Sequence, residues 1–102
     1  MTAKRISNST VRALRVLKAL RGHSLDGISN GELAKTLNEP ASAITRAMAA
    51  LIEEGLAIKL DNGRFAPSVS LLQIAVAHSQ EMERATGRIA ELGQRVAAGS
   101  RN

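Results

Sequence analysis

Residues 29–55 have the sequence SNGELAKTLNEPASAITRAMAALIEEG, and this stretch decides the fold. Ser29 and Glu32 form a capping box, in which the serine oxygen accepts a backbone N–H and the glutamate reaches back to the cap. The pattern predicts a short helix that ends near Asn38, with buried positions at Leu33, Ala34 and Leu37.

A second helix follows at once. Pro40 suits its first position, because the N–H that proline lacks would be unpaired there in any case. Gly55 is a typical left-handed terminator. Between them the apolar residues recur at helical spacing: Ile44, Ala47, Met48, Leu51 and Ile52. Two helices joined by such a short connection, the second entered at a proline, predict a helix-turn-helix.

A third helix is expected upstream of this motif. Ser7 or Ser9 can cap it, and it is predicted to run to about Arg21 and stop at Gly22. Its predicted buried stripe consists of Ala13, Leu14, Val16, Leu17 and Leu20. In the loop that follows, we expect Leu25 and Ile28 to point inward.

Downstream, residues 56–60 and 64–66 are short strand candidates around Asp61-Asn62-Gly63. An Asn-Gly pair between such segments is a strong local signal for a β-hairpin. A hairpin directly after a helix-turn-helix is a wing. The predicted fold is therefore mainly α: a winged helix-turn-helix, with three helices and a β-hairpin wing, followed by a long C-terminal helix.

The last segment has a heptad pattern, in which apolar residues alternate steps of four and three. We call the following residues the seam: Leu71, Ala75, His78, Met82, Ala85, Ile89, Leu92 and Val96. Residues 69–77 are apolar on nearly every side, so we expect these turns to pack against the wing domain and the later turns to need another surface. Pairing with a second copy as a coiled coil is the favoured interpretation, and folding back on the same domain is the alternative. A break of the helix near Gly87 stays open.

The expected organisation is a flexible basic arm at 1–8, a DNA-binding domain at 9–67, a dimerisation helix at 68–97 and a disordered tail at 98–102. The net charge is +5, and residues 1–21 carry six basic groups and no acidic one. Such a block favours nucleic acid or an anionic membrane surface, although a solvated helix face explains it equally well. The sequence has no cysteine, no signal peptide and no apolar run long enough for a membrane span, which favours a cytoplasmic protein.

Little in the sequence suggests catalysis. His23 and His78 are far apart and have no carboxylate pattern nearby, and the glycines do not form a phosphate loop with a lysine. We therefore expect no enzyme activity, no cofactor and no metal.

The polar face of the second motif helix is the expected DNA-reading surface, with Ser42, Thr45, Arg46 and Ala49. Arg46 suits bidentate contact with guanine, and the alternative is a surface ion pair with Glu53 or an acid of the preceding helix. Ser42 and Thr45 suit bases or phosphates, and Ala49 suits a thymine methyl group.

Further candidates surround this face. Ser29 and Asn30 lie at a helix N-terminus that favours a phosphate, with plain capping as an equal alternative. The polar positions of the wing are Lys59, Asn62 and Arg64, and the arm residues that suit a minor groove are Lys4 and Arg5.

Three stretches together resemble the N-terminal domain of the IclR family of bacterial transcription regulators: residues 10–17, residues 31–34, and residues 40–46 continuing through 51–56. Gly63-Arg64-Phe65 and Leu71-Leu72 match in order and spacing, so the resemblance covers roughly residues 9–77. Two positions depart from the family pattern, Ala41 where a lysine is common and Pro67-Ser68 where Leu-Gly is frequent.

The resemblance implies a winged helix-turn-helix that binds double-stranded DNA as a homodimer, with Arg12 contacting the DNA backbone. Family members usually continue into an effector-binding domain, whereas this sequence stops after the predicted C-terminal helix. We therefore expect no small-molecule effector and an origin in a phage or mobile element. The favoured function is a sequence-specific transcription regulator, most simply a repressor. A protein-interaction adaptor and a non-specific DNA-coating protein are the alternatives.

Overall fold

A computed structural model describes residues 6–100. Its elements are α1 (Asn8–Ala19), α2 (Asn30–Leu37), α3 (Ala41–Glu53), β1 (Ala57–Lys59), β2 (Phe65–Pro67) and α4 (Val69–Ser100). One compact unit ends at Leu71 and a second begins at Leu72. Three helices, a hairpin and a long C-terminal helix follow each other in the predicted order, which confirms the predicted fold class.

The helix ends lie close to where the sequence places them. Ser7 caps α1, where its side chain accepts a hydrogen bond from the Thr10 N–H. Asn38 ends α2 in the left-handed conformation, and Gly55 follows α3 with a φ of +74°. Pro40 is the N-cap of α3 in extended backbone, one position before the first helical residue where we expected it.

The core of the first unit lies where α1, α2 and α3 meet. Its buried apolar residues are Val16, Leu20, Ile28, Leu33, Ala43, Ile44, Ala47, Met48, Leu51, Ala57 and Ala66. Most were predicted from helical periodicity. The buried face of α3 also includes Ala43, which was not among the predicted core residues.

Three residues predicted to be buried in the first three helices or the loop between them are exposed. Leu14 is 53% exposed because it lies roughly 100° around α1 from Ala13, at the edge of the face that packs inward. Ile52 is 40% exposed for a similar reason, since the buried face of α3 is turned towards Ala43. Leu25, at 89% exposure, lies in the turn between α1 and α2 and does not point inward as expected.

The wing pairs β1 and β2 in antiparallel register, with Ile58 opposite Ala66. Gly63 closes the turn with a φ of +84° and donates its N–H to the Leu60 carbonyl at 2.9 Å. A third segment joins the wing through a β-bridge, because Ile28 and Phe65 exchange two backbone hydrogen bonds of 2.8 Å. The loop before α2 is thereby attached to the hairpin.

Ser68 introduces α4 by accepting a hydrogen bond from the Leu71 N–H and donating one to the Gly55 carbonyl. The helix passes through Gly87 without a break and extends to Ser100, beyond the predicted end at 97. Val69, Ile74 and Val76 are 65%, 62% and 53% exposed, and the packing of residues 69–77 against another surface stays a prediction. Burial needs a covering surface, and no residue of α4 is buried in the part of the chain described.

The expected terminal segments are only partly described. Asn8, assigned to the arm, belongs to α1, and residues 98–100 of the expected tail belong to α4. Lys4 and Arg5 lie outside the described residues. Within residues 6–100, no helix is long and apolar enough to cross a membrane.

Candidate nucleic-acid interface

Helix α3 has one buried and one exposed face, and the predicted DNA-reading residues all lie on the exposed one. Each of these four predicted residues is exposed: Ser42, Thr45, Arg46 and Ala49. Ile44 and Met48 on the opposite face are 0% and 1% exposed, so the core fixes the rotation of the helix about its axis. The packing of the buried face therefore holds these four side chains towards solvent, although they take no part in that packing themselves.

Arg46 lies on a shallow groove between α1 and α3, whose lining includes Ser9 and Thr10. Among residues 6–100 its guanidinium forms no ion pair, with Glu53 or with any other acid. A planar cation in this position can present adjacent donors to a guanine edge or to a phosphate.

Thr45 and Asn30 connect the two helices of the motif. The Asn30 side-chain amide donates to the Ala41 carbonyl at 3.2 Å. The Thr45 hydroxyl lies 3.0 Å from the same carbonyl and 3.4 Å from the Asn30 side-chain oxygen. These contacts hold the first turn of α3 against the first turn of α2, so both residues already have partners within the protein.

The Ser29 side chain caps the first turn of α2. Ser29 accepts a hydrogen bond from the Glu32 N–H at 3.1 Å and donates its hydroxyl to the Glu32 carboxylate at 3.0 Å. The hydroxyl, and after it the positive charge of Arg64, lowers the pKa of Glu32 below its ordinary value. Glu32 is therefore a carboxylate at neutral pH, and the predicted cap is confirmed.

The predicted wing residues divide into two kinds. Arg64 and Asn62 both donate side-chain hydrogen bonds to the Asp26 carbonyl, and Arg64 also reaches the Gly27 carbonyl and Glu32. Lys59 is exposed, and the structure gives its ammonium no ion pair with any residue from 6 to 100. Lys59 is thus an exposed wing cation without an ion pair among the residues described.

Arg12 on α1 is also engaged within the protein. Its Nε lies 3.0 Å from the carboxylate of Glu39, in the turn between α2 and α3, and both side chains are partly buried. The pair fixes α1 to this turn. The sequence analysis did not identify Glu39 as the partner of Arg12 or Glu32 as the partner of Arg64. Residues that are so far apart along the chain leave no periodic signal in the sequence.

The seam residues of α4 are exposed, apart from Leu71, which is half-buried. Met82, Ile89, Leu92 and Val96 are between 50% and 72% exposed. Glu91 and Arg95, which lie outside the seam, form an ion pair at 2.7 Å. The later half of α4 therefore carries an uncovered apolar seam beside charged flanks.

The geometry of the first unit defines a class of protein: a winged helix-turn-helix with a solvent-facing second motif helix and a hairpin beside it. The sequence matches the family model of the IclR helix-turn-helix domain over residues 9–60, about half of the chain. The chain belongs to this family. The family points to a DNA-binding transcription regulator, as the resemblance predicted.

A solved structure with the same fold is the crystal structure of the IclR protein of Thermotoga maritima. The two chains share 22% sequence identity with a TM-score of 0.56, and the match covers 66% of this chain but 27% of the other. No curated protein matches this sequence.

Proposed function

We propose that the protein is a sequence-specific transcription regulator that binds double-stranded DNA as a homodimer. The observation that carries the proposal is the exposed face of α3, since the opposite face of the helix is buried in the core. On the exposed face, Arg46 forms no ion pair with any residue from 6 to 100. In a helix-turn-helix, the second helix enters the major groove and its N-terminal residues meet base edges.

The individual contacts are proposed from exposure and chemistry. Arg46 binds guanine, Ser42 and Thr45 meet bases or phosphates, and Ala49 contacts a thymine methyl group. Lys59 binds a backbone phosphate beside the groove. Ser29 and Asn30 offer the N-terminus of α2 to a phosphate, while their side chains keep the cap and the link to α3.

Dimerisation is proposed through the seam. A single chain leaves these apolar side chains exposed, and pairing with the seam of a second copy removes them from water. A symmetric dimer places two α3 helices about 34 Å apart, one turn of DNA, or a multiple of it. Occlusion of a promoter by such a dimer is the simplest route to repression.

A substitution in the seam tests this step. Leu92→Lys introduces two buried charges into a symmetric pair, so we expect the dimer dissociation constant to rise by about tenfold or more. Gln94→Lys adds the same charge two residues away and outside the seam, and we expect it to leave the dimer intact. Analytical ultracentrifugation measures both variants. Equal behaviour of the two proteins would argue against pairing through the seam.

The proposed function is tested by fluorescence-anisotropy titration at several salt concentrations. DNA from upstream of the protein's own coding sequence is compared with a scrambled duplex of equal length. We expect preference for the upstream DNA and affinity that falls steeply with salt, because cations on the protein release counterions from the phosphates. Equal affinity for both duplexes would favour a DNA-coating role.

One observation favours a second candidate, an interaction adaptor: the apolar seam suits a foreign amphipathic helix as well as a second copy. The two candidates differ in oligomeric state and in DNA binding. A protein that is monomeric in solution and does not bind DNA at low salt would be an adaptor.

A further inference from the structure

Arg64 has a role in the wing that its position in the sequence does not suggest. We propose that Arg64 is a positioning residue that holds the wing against the first turn of α2, instead of contacting DNA directly. We call Arg64, Glu32 and the carbonyls of Asp26 and Gly27 the wing brace. This inference rests on the proposed DNA binding only for its effect on affinity, since the brace itself exists in the free protein.

Each of the three guanidinium nitrogens of Arg64 has a partner within the protein. Nε donates to the Asp26 carbonyl and Nη2 to the Gly27 carbonyl, both at 3.1 Å. Nη1 lies 2.9 Å from Glu32 Oε1. Bidentate binding of a phosphate requires two adjacent donors on one edge of the guanidinium. The edge formed by Nε and Nη2 faces backbone carbonyls, and on the edge formed by Nη1 and Nη2 the two nitrogens already contact Glu32 and the Gly27 carbonyl.

The charge of Arg64 is compensated as well. Glu32 is ionised at neutral pH, and the Ser29 hydroxyl and then Arg64 lower its pKa still further from neutrality. An arginine beside a carboxylate attracts a phosphate less than an unpaired cation does. Lys59, in β1 of the same hairpin, has no ion pair among the residues described and is better suited to that contact.

The brace matters because the same turn of α2 also holds α3. Asn30 donates to the Ala41 carbonyl at the start of α3, while Glu32, two residues further on, binds Arg64 of the wing. The wing and the DNA-reading helix are therefore attached to one short segment. Their relative placement decides whether base and phosphate contacts form together, so a loosened brace weakens binding without removing any contact to DNA.

Glu32→Gln tests whether the ion pair between Glu32 and Arg64 holds the wing in place. Glutamine keeps the capping box and nearly the same shape, but it removes the charge that pairs with Arg64. We expect amide exchange at Ile28 and Phe65, which form the bridge to the wing, to accelerate about threefold or more in the free protein. We expect DNA affinity to fall by a similar factor, although the protein becomes more positive.

Asp61→Asn is the matched control. It makes the same change of charge in the turn of the wing, where the Asp61 carboxylate has no ion pair within residues 6–100. Because this substitution leaves the wing brace intact, the variant is expected to keep wild-type amide exchange and to bind DNA at least as tightly as the wild type.

Arg64→Lys completes the experiment. Lysine keeps the charge but cannot span two carbonyls and a carboxylate at once, so both readouts are expected to worsen by about tenfold with an unchanged salt dependence. Normal amide exchange and undiminished affinity in Glu32→Gln would overturn the proposal. If the wild type does not bind DNA at low salt, the proposed function fails, and amide exchange alone still decides whether the brace exists.

Discussion

Gly27→Ala is expected to destabilise the first unit by about 2–4 kcal/mol and to displace the wing. Gly27 has a φ of +75°, which side-chain-bearing residues rarely adopt. An added Cβ would lie 2.9 Å from Arg64 Cβ, from Leu60 Cδ1 and from the Phe65 carbonyl oxygen. Because one of these atoms is backbone of the wing strand, the contact is relieved only when the hairpin moves.

Urea unfolding of the full chain measures this effect, and Gly31→Ala provides the control. A Cβ at Gly31 meets nothing within 4 Å, and the residue lies within α2. Alanine is expected to stabilise a helix by about 0.5–1 kcal/mol relative to glycine. If both variants have the same free energy of unfolding, the wing does not lie as close to Gly27 as the structure places it.

Arg46→Ala is expected to weaken binding to the preferred DNA site by about 1–3 kcal/mol, or roughly 5- to 150-fold. It should also relax discrimination at one base pair, because a bidentate arginine–guanine contact carries sequence information. Lys59→Ala is the informative comparison. It removes the same charge but is expected to weaken all sequences alike and to reduce the salt dependence by about one counterion.

Competition binding with single-base variants of the site distinguishes the two substitutions. The prediction requires that Arg46→Ala change the ratio of affinities at one position and that Lys59→Ala leave every ratio unchanged. A protein with Arg46→Ala that still discriminates as the wild type does would remove α3 from the role of the reading helix.

The ends of the helices were predictable because their signals are local. Ser29 with Glu32, Asn38 and Gly55 each determine a cap or a terminator within a few residues of themselves. The exposed face of α3 was predictable for a related reason, since helical periodicity alone separates Arg46 from the buried Met48.

Burial at the edges of these faces was less predictable. Leu14, Leu25 and Ile52 are apolar, but their exposure depends on which neighbouring element covers them, and that depends on the whole packing arrangement. The bridge between Ile28 and Phe65 left no trace in the sequence, because a single pair of residues has no periodicity.

The partners of polar side chains depend on contacts between distant parts of the chain. Arg64 and Asn62 have the composition of an exposed wing, and only the fold brings them to the Asp26 carbonyl. Likewise, Arg12 was expected at DNA because of a family resemblance, and the structure places its Nε beside Glu39. Charge alone therefore does not separate cations that hold the fold from cations that are free to bind a phosphate.

We propose that this protein recognises a particular DNA sequence as a dimer. Selection of bound duplexes from a random-sequence pool, followed by sequencing, tests this claim and requires no candidate site. We expect enrichment of a two-fold symmetric sequence whose half-sites lie about 10–10.5 base pairs apart, or a multiple of this spacing. A pool that is retained at low salt but shows no enriched sequence after repeated rounds would contradict the claim.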